Sequence, residues 1–394
     1  MKFLIMYLKT ASYVILFLSF FYSVNSIAVD QTGRFVDETA ERLSVDTGQA
    51  ARSGVGDLDG DGDIDFMVPG GAYTGGEVPV QDVLMQINDG TGKFTNEAGL
   101  RLPDTAFQTQ YAAAAVFDDF DGDGDLDVFL ANGTSMFPPI TPEDYQNRLW
   151  INDGSGIFSD QTQDRLPVAF NPTFHAATGD IDDDGDIDII VGNVHDQNRV
   201  LINDGAGYFT DETVLRLPTH SDITLAVSLK DLDADGDLDL VVANRWYGGS
   251  KILINNGAGV FRDESTSRFV SLSAPWAGDI KVADLSGDNY PDIMFSSILK
   301  GPLIFINNGS GYFTDESVSR TPMYYNSHSL SLADVDRDGD IDAFVSLADF
   351  QQSVLLLNDG NGYFSDVTST HLPSFYDGIR YSSCGDVDND GDPD

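Results

Sequence analysis

The sequence holds a single cysteine, Cys384, so no intrachain disulfide can staple the fold. Positive charge is scarce: 21 Lys and Arg stand against 64 Asp and Glu, for a net charge of −43. That balance excludes a nucleic-acid binder, which needs clustered Lys and Arg, and is compatible with a holder of multivalent cations. The five histidines fall in no H-E-x-x-H or H-x-H spacing, and there is no G-x-S-x-G elbow. No stretch carries sustained helical periodicity. After the N-terminal leader, no second run of about 20 apolar residues appears that would span a membrane as a helix.

What is present begins with that leader. Lys2 and Lys9 precede the apolar run 11–22, and small residues follow, with Val24 and Ser26 at the −3 and −1 places. The segment 1–26 reads as a secretory signal cleaved near Ser26, leaving 27–394 as the mature domain. The competing reading is a retained anchor, since residues 3–22 are nearly all apolar. Secretion, to the extracellular space, the cell surface or a periplasm, is therefore expected. A secreted chain without disulfides must find stability elsewhere, and bound metal is one route.

An internal repeat organises the rest. "DLDGDGDID" (57–65) recurs as "DFDGDGDLD" (119–127), "DIDDDGDID" (180–188), "DLDADGDLD" (231–239), "DLSGDNYPD" (284–292), "DVDRDGDID" (334–342) and "DVDNDGDPD" (386–394), at intervals of 50 to 62 residues. A glycine-rich hairpin signal such as "INDGAGYFTDE" (202–212) alternates with it. Small and apolar residues precede each acidic loop and a β-branched run follows it. Each unit then reads as four short antiparallel strands, A to D. A four-stranded unit repeated at this period is the signature of a propeller blade. The expected fold is all-β: a seven-bladed propeller whose last blade is incomplete in this chain. "GRFVDETAERL" (33–43) matches "GYFTDETVLRL" (207–217) at seven of eleven places. It therefore reads as a lone strand D that closes the ring against the loop at 386–394.

The acidic loops read as cation cages. The pattern D-x-D-x-D-G-x-x-D offers carboxylates at positions 1, 3, 5 and 9 and a backbone carbonyl at position 7, a set of hard oxygens that suits Ca²⁺ better than Mg²⁺. The candidate ligands are Asp57, Asp59, Asp61, Asp63 and Asp65; Asp119, Asp121, Asp123, Asp125 and Asp127; Asp180, Asp182, Asp184, Asp186 and Asp188; Asp231, Asp233, Asp235, Asp237 and Asp239; Asp284, Ser286, Asp288, Tyr290 and Asp292; Asp334, Asp336, Asp338, Asp340 and Asp342; and Asp386, Asp388, Asp390, Asp392 and Asp394. Up to seven ions, one per blade, are expected. The site at 284–292 is expected to be weakest, because Ser286 and Asn289 replace Asp and Gly. An EF-hand is excluded, since position 12 is apolar and lies in a strand. Position 2 is always apolar, as in Leu58, Phe120 and Ile181, and should pin the loop to the core.

Together, the acidic loop between strands A and B and the N-[DN]-G-x-G-x-F hairpin between C and D resemble the FG-GAP/VCBS-type repeats of the integrin-α N-terminal β-propeller. The resemblance covers residues 33–394. The Phe-Gly and Gly-Ala-Pro tags of integrins are absent, so the bacterial-style secreted branch looks closer. It implies an extracellular Ca²⁺-binding propeller serving adhesion or ligand binding, with no ligand-binding residue to carry over.

Alternating loops place the acidic and glycine loops on one face. The opposite face carries aromatics, of which Trp246, Tyr247, Trp276, Tyr324 and Tyr325 are the candidates for contact with a glycan or protein ligand. The alternative for each is packing between blades. The leading functional expectation is a monomeric secreted binding or adhesion module and not an enzyme. Competing readings are a propeller enzyme acting on polysaccharide and a structural spacer of a larger surface protein.

Overall fold

The computed structural model describes residues 27–29, 35–37, 39–43, 52–70, 83–104, 112–133, 145–245, 249–269, 277–322, 326–347, 351–374, 381–390 and 393. It is all-β and propeller-like. Six units each contain four antiparallel strands in the order A to D: β3–β6 (Gly54–Gly56, Asp65–Val68, Leu84–Asn88, Phe94–Asn96); β7–β10 (Ala112–Asp118, Asp127–Asn132, Arg148–Asn152, Phe158–Asp160); β11–β14 (Thr173–Gly179, Asp188–Asp196, Arg199–Asn203, Phe209–Asp211); β15–β18 (Asp222–Lys230, Asp239–Asn244, Lys251–Ile254, Arg262–Asp263); β19–β22 (Ala277–Ala283, Asp292–Ser297, Leu303–Asn307, Phe313–Asp315); and β23–β26 (Ser327–Ala333, Asp342–Leu347, Val354–Asn358, Phe364–Asp366). Numbered from the N-terminus they are units 1 to 6. Units 3 and 4 are also joined through β12 and β15, where Val194 pairs with Ile223.

The core lies between units. Phe209 of unit 3 packs on Phe120 of unit 2, with ring centroids 5.8 Å apart. Phe158 enters the cluster of unit 1, Phe313 that of unit 4 and Phe364 that of unit 5. The phenylalanine ending the hairpin motif in units 2, 3, 5 and 6 is thus the plug that seats one unit on the one before it. Burying a side chain of that size contributes about 1.5–3 kcal/mol. Among the residues described at the centre, Arg52 of unit 1 reaches Asp279 of unit 5 at 3.1 Å and donates to the Gly278 carbonyl at 2.8 Å. A contact between units so far apart in the chain requires the array to curve back on itself.

At the N-terminus the structure departs from the expected lone strand D. β1 (Ile27–Val29) pairs with β2 (Phe35–Asp37), Ile27 facing Asp37 and Val29 facing Phe35. That is the register of strands C and D elsewhere, where Leu201 faces Asp211 and Asn203 faces Phe209. Strand C was missed because its glycine hairpin is degenerate here: "VDQTGRF" stands where "NDGAGYF" stands in unit 3. Phe35 packs against Val335, Leu355 and Leu372 of the unit 6 cluster, as the other hairpin phenylalanines do.

A second departure follows strand D. Four-residue helices occur at α1 (Thr39–Arg42), α2 (Ala98–Arg101), α3 (Thr162–Arg165), α4 (Thr213–Arg216), α5 (Ser265–Arg268), α6 (Ser317–Arg320) and α7 (Thr368–His371). One turn is too short to show a period. A local side-chain turn starts it: in α4 the Asp211 carboxylate accepts from the Thr213 amide at 3.0 Å, and the Thr213 hydroxyl accepts from the Val200 amide of strand C at 3.1 Å. No helix among the described residues is long and apolar enough to cross a membrane.

Candidate metal centres

Each acidic loop is first a backbone turn organised by its own carboxylates. Asp57 Oδ1 accepts from the amides of Gly60 and Asp61 at 2.8 and 3.2 Å, and Oδ2 from that of Gly62 at 3.0 Å. Asp119, Asp180, Asp231, Asp284 and Asp334 do the same work in their loops. The turn needs left-handed backbone twice. Gly62 at position 6 has φ +95° and Gly60 at position 4 has φ +77°. Position 4 keeps that conformation even where it is not glycine, with φ +65° at Asp183, +63° at Ala234 and +61° at Arg337. Position 2 is buried as expected: Leu58, Phe120, Leu232 and Leu285 are fully so.

Position 9 is the interior pillar. Asp188 is fully buried, accepts from the Ile181 amide at 3.1 Å through Oδ2, and from the Asn203 amide at 2.8 Å through Oδ1. Asp65, Asp127, Asp239, Asp292 and Asp342 repeat this arrangement. Burial raises these carboxyls against the pull of the amides: Asp65, Asp127, Asp188 and Asp239 to about 7, Asp292 and Asp342 to about 6. Position 5 lies at the outer turn, where Asp184 Oδ1 accepts from the Asp186 amide at 3.0 Å. The side chain of the Asp at position 7 lies over the first hairpin glycine of its own unit, as Asp186 does at Gly205, and Tyr290 takes the same place at Gly309.

Position 3 carries the test of whether a cation fits. Asp59, Asp121, Asp182, Asp233 and Asp388 each keep Oδ1 buried with no hydrogen-bond partner, while Oδ2 pairs with an arginine. An anionic oxygen buried without a donor is costly, and cation binding would remove that cost. Its neighbours are right for it. One oxygen from each of Asp119, Asp121 and Asp127 lies within 4.8 Å of the others, as holds for Asp180, Asp182 and Asp188, for Asp231, Asp233 and Asp239, for Asp334, Asp336 and Asp342, and for Asp57, Asp59 and Asp61. Oxygens sharing one Ca²⁺ at about 2.3–2.6 Å must lie within about 5 Å of one another. These clusters can therefore hold a metal ion.

The arginines are the component that sequence reasoning missed. Arg216, closing α4, donates through Nη2 to Asp182 at 2.8 Å, through Nε to Glu212 at 2.7 Å, and through Nη1 to the Ala258 carbonyl in the hairpin of unit 4 at 2.8 Å. Arg101 and Arg268 reproduce all three contacts. Arg42 reaches Asp388 at 2.8 Å across 346 residues of sequence, and lies against Gly92 of unit 1. The Arg that recurs five residues after the [DN] of strand D, as in "NEAGLRL" (96–102), "DETVLRL" (211–217) and "DESTSRF" (263–269), was the visible signal. A second tie runs beside it: Asn203 Nδ2 donates to the Phe120 carbonyl of the previous unit at 2.8 Å, and Asn88 to that of Val387 at 2.7 Å.

Asp392 and Asp394 lie outside the described residues, as do Trp246, Tyr247, Trp276, Tyr324 and Tyr325 and the segment 1–26. His195 is described and exposed.

Comparison with known proteins places these elements. A lectin of Agrocybe aegerita, solved for its specific recognition of non-reducing terminal N-acetylglucosamine, superposes with TM-score 0.55 at 17% identity, over 90% of this chain and 92% of that one. A protein from Lactobacillus plantarum gives TM-score 0.51 at 15% identity, over 76% of this chain and 80% of that one. At such identities the likeness concerns the fold. No curated protein matches the chain. The model of the FG-GAP-like repeat matches residues 119–191, 180–242, 231–295 and 344–394, each match carrying an acidic loop, and the chain therefore belongs to the FG-GAP-like repeat family.

Proposed function

We propose that this chain is a secreted, calcium-stabilised seven-bladed propeller that binds a glycan through the face opposite its acidic loops. The observation that carries the calcium reading is the buried, donor-less Oδ1 of Asp59, Asp121, Asp182, Asp233 and Asp388, each set in a carboxylate loop. Asp180, Asp182 and Asp188, with the carbonyl of Asp186, would hold the ion in unit 3, and equivalent residues in the other units. Calcium would supply charge neutralisation and no chemistry. The protein's own residues do the rest: position 1 fixes the turn, position 9 ties it to strand C, and position 3 presents a free oxygen.

The seven-blade count rests on the six described units together with a composite seventh. In that seventh, β1 and β2 supply strands C and D, and residues 381–390 bring the acidic loop to Arg42 and Asn88. The glycan reading is supported by the recognition of a terminal N-acetylglucosamine in the Agrocybe aegerita lectin, whose fold this chain shares over most of its length. Trp246, Tyr247, Trp276, Tyr324 and Tyr325 remain the candidates for stacking on sugar rings, on the strength of their residue type and their loops.

Two measurements test the reading. Isothermal titration of chelator-treated protein with Ca²⁺ should give several binding events, and a silent titration ends the calcium proposal. Calcium-loaded protein on a glycan array should bind a defined sugar, and Trp246→Ala with Tyr247→Ala should abolish binding while melting stays near native. A variant that melts far earlier assigns those rings to packing.

A further inference from the structure

We propose that Arg42, Arg101, Arg165, Arg216 and Arg268 are positioning residues: each turns the third aspartate of its loop so that one oxygen faces the cation, and each carries the state of that loop to the hairpin of the following unit. This rests on the calcium reading above.

The geometry separates two jobs on one side chain. In unit 3 the guanidinium takes Oδ2 of Asp182, which leaves Oδ1 buried without a partner, and one Asp182 oxygen lies within 4.8 Å of oxygens of Asp180 and Asp188. The same guanidinium holds the Ala258 carbonyl of unit 4 at 2.8 Å. A planar fork fixes both directions at once, as a flexible ammonium cannot. Anything that draws Asp182 toward the cage therefore pulls on the neighbouring hairpin. Tyr208, Tyr312 and Tyr363 add a ring from the next unit, 4.6 to 5.2 Å from Arg165, Arg268 and Arg320.

A cation beside an arginine would ordinarily be repelled. Glu97, Glu212 and Glu264 remove that objection, since each accepts from the arginine Nε at 2.6 to 3.0 Å and balances its charge. The arginine and glutamate together are neutral and leave the charge of the third aspartate to the ion. Unit 2 has Gln161 in that place, and Arg165 Nε has no partner.

Two units break the set in complementary ways. In unit 5 the arginine is kept and the carboxylate lost: Arg320 still bonds Glu316 and the Asn361 carbonyl of unit 6, but Ser286 offers it no charge. In unit 6 the carboxylate is kept and the arginine lost: His371 closes α7, and Asp336 is exposed where its counterparts are half-buried. The asparagine tie recurs in unit 6, Asn358 donating to the Leu285 carbonyl at 2.9 Å, so it cannot distinguish the interfaces. The arginine link does. Calcium should therefore be felt in the next hairpin after units 1 to 4, and not after unit 5.

Hydrogen exchange of the full chain, read by mass spectrometry in excess Ca²⁺ and in excess chelator, tests this. In the wild type, calcium should slow exchange in loop 180–188 and in hairpin 255–260 together, each by about tenfold or more, and slow hairpin 358–363 markedly less, because that hairpin answers only to its own loop through Asp340 and Asp342. Arg216→Ala should keep a calcium response in loop 180–188, at several-fold higher calcium, and cut that of hairpin 255–260 to the level of hairpin 358–363. Ser286→Asp should enlarge the calcium response of hairpin 358–363, a gain that does not depend on a damaged variant folding. An Arg216→Ala protein whose hairpin responds as fully as the wild type, or a Ser286→Asp protein whose hairpin responds no more than the wild type, overturns the coupling. If wild-type loops respond and hairpins 255–260 and 358–363 respond equally, the coupling falls and the calcium reading stands. If no loop responds, both fall.

Discussion

Units 3 and 5 are built from the same strands and differ at the acidic loop. Both hold the ninth aspartate fully buried, with the amides of strand C and of position 2 on its oxygens. Both hold an arginine against the next hairpin. Unit 3 adds a third-position carboxylate with a free buried oxygen; unit 5 has Ser286, and a tyrosine in place of the seventh aspartate. The lesson is that this loop has two separable layers. A hydrogen-bonded turn folds with or without the full carboxylate set, and a charge layer laid over it supplies the oxygens that a cation would need. Unit 5 retains the first and has lost part of the second.

The largest effect expected from this division is on the whole molecule. Excess chelator should lower the melting temperature steeply in a thermal scan, because each site at a hundredfold excess of ion over its dissociation constant contributes about 2.7 kcal/mol. Unchanged melting would mean that the charge layer holds no ion. Next come Asp188→Ala and Asp292→Ala, which remove the same pillar from the two units. In chelator both should lose similar stability, about 1–3 kcal/mol for each amide left unpaired. In calcium, denaturant titration should show Asp188→Ala losing more, and equal losses in calcium would erase the distinction between the units.

A pH series without metal sharpens the same point. The buried ninth aspartates are raised to about 6 or 7, so the folded protein holds their protons more tightly than the unfolded chain, whose carboxyls titrate near 4. Proton binding then favours the folded state, and metal-free stability should fall as pH rises from about 4 to about 7. Thermal melts in chelator at stepped pH measure this. A rise over that range would show the pillars ionised and satisfied without metal. The smallest effect is at α3: Gln161→Glu supplies the partner that Arg165 Nε lacks and should add about 0.3–0.5 kcal/mol by denaturant titration.

Much of this was legible in the sequence, because repetition separates a motif from chance. Seven acidic loops in phase with hairpins indicated strand order and placed positions 1, 3 and 9 near one another. The buried second position and the left-handed sixth position followed from residue type. The arginines were not legible as partners, since Arg216 and Asp182 are 34 residues apart in sequence and meet only when strand D returns beside its own acidic loop. Position 4 escaped notice because Asp183, Ala234 and Arg337 share no chemistry; they share only a backbone angle. Strand C of the N-terminal pair was hidden by a hairpin that had lost its asparagine and a glycine.

The pairing of Arg42 with Asp388 has a consequence in time. Residues made early are completed by residues made much later: Phe35, Arg42 and Asn88 await partners that emerge more than 250 residues later. A chain is made from its N-terminus onward, so one edge of the growing stack stays bare while the intervening units are made. Long-range closure of this kind is slow, and bare strand edges invite pairing between copies. The arginine ties along the stack would let each new unit seat on the one before it while the array is still open, so the chain need not wait for closure before it begins to hold its shape.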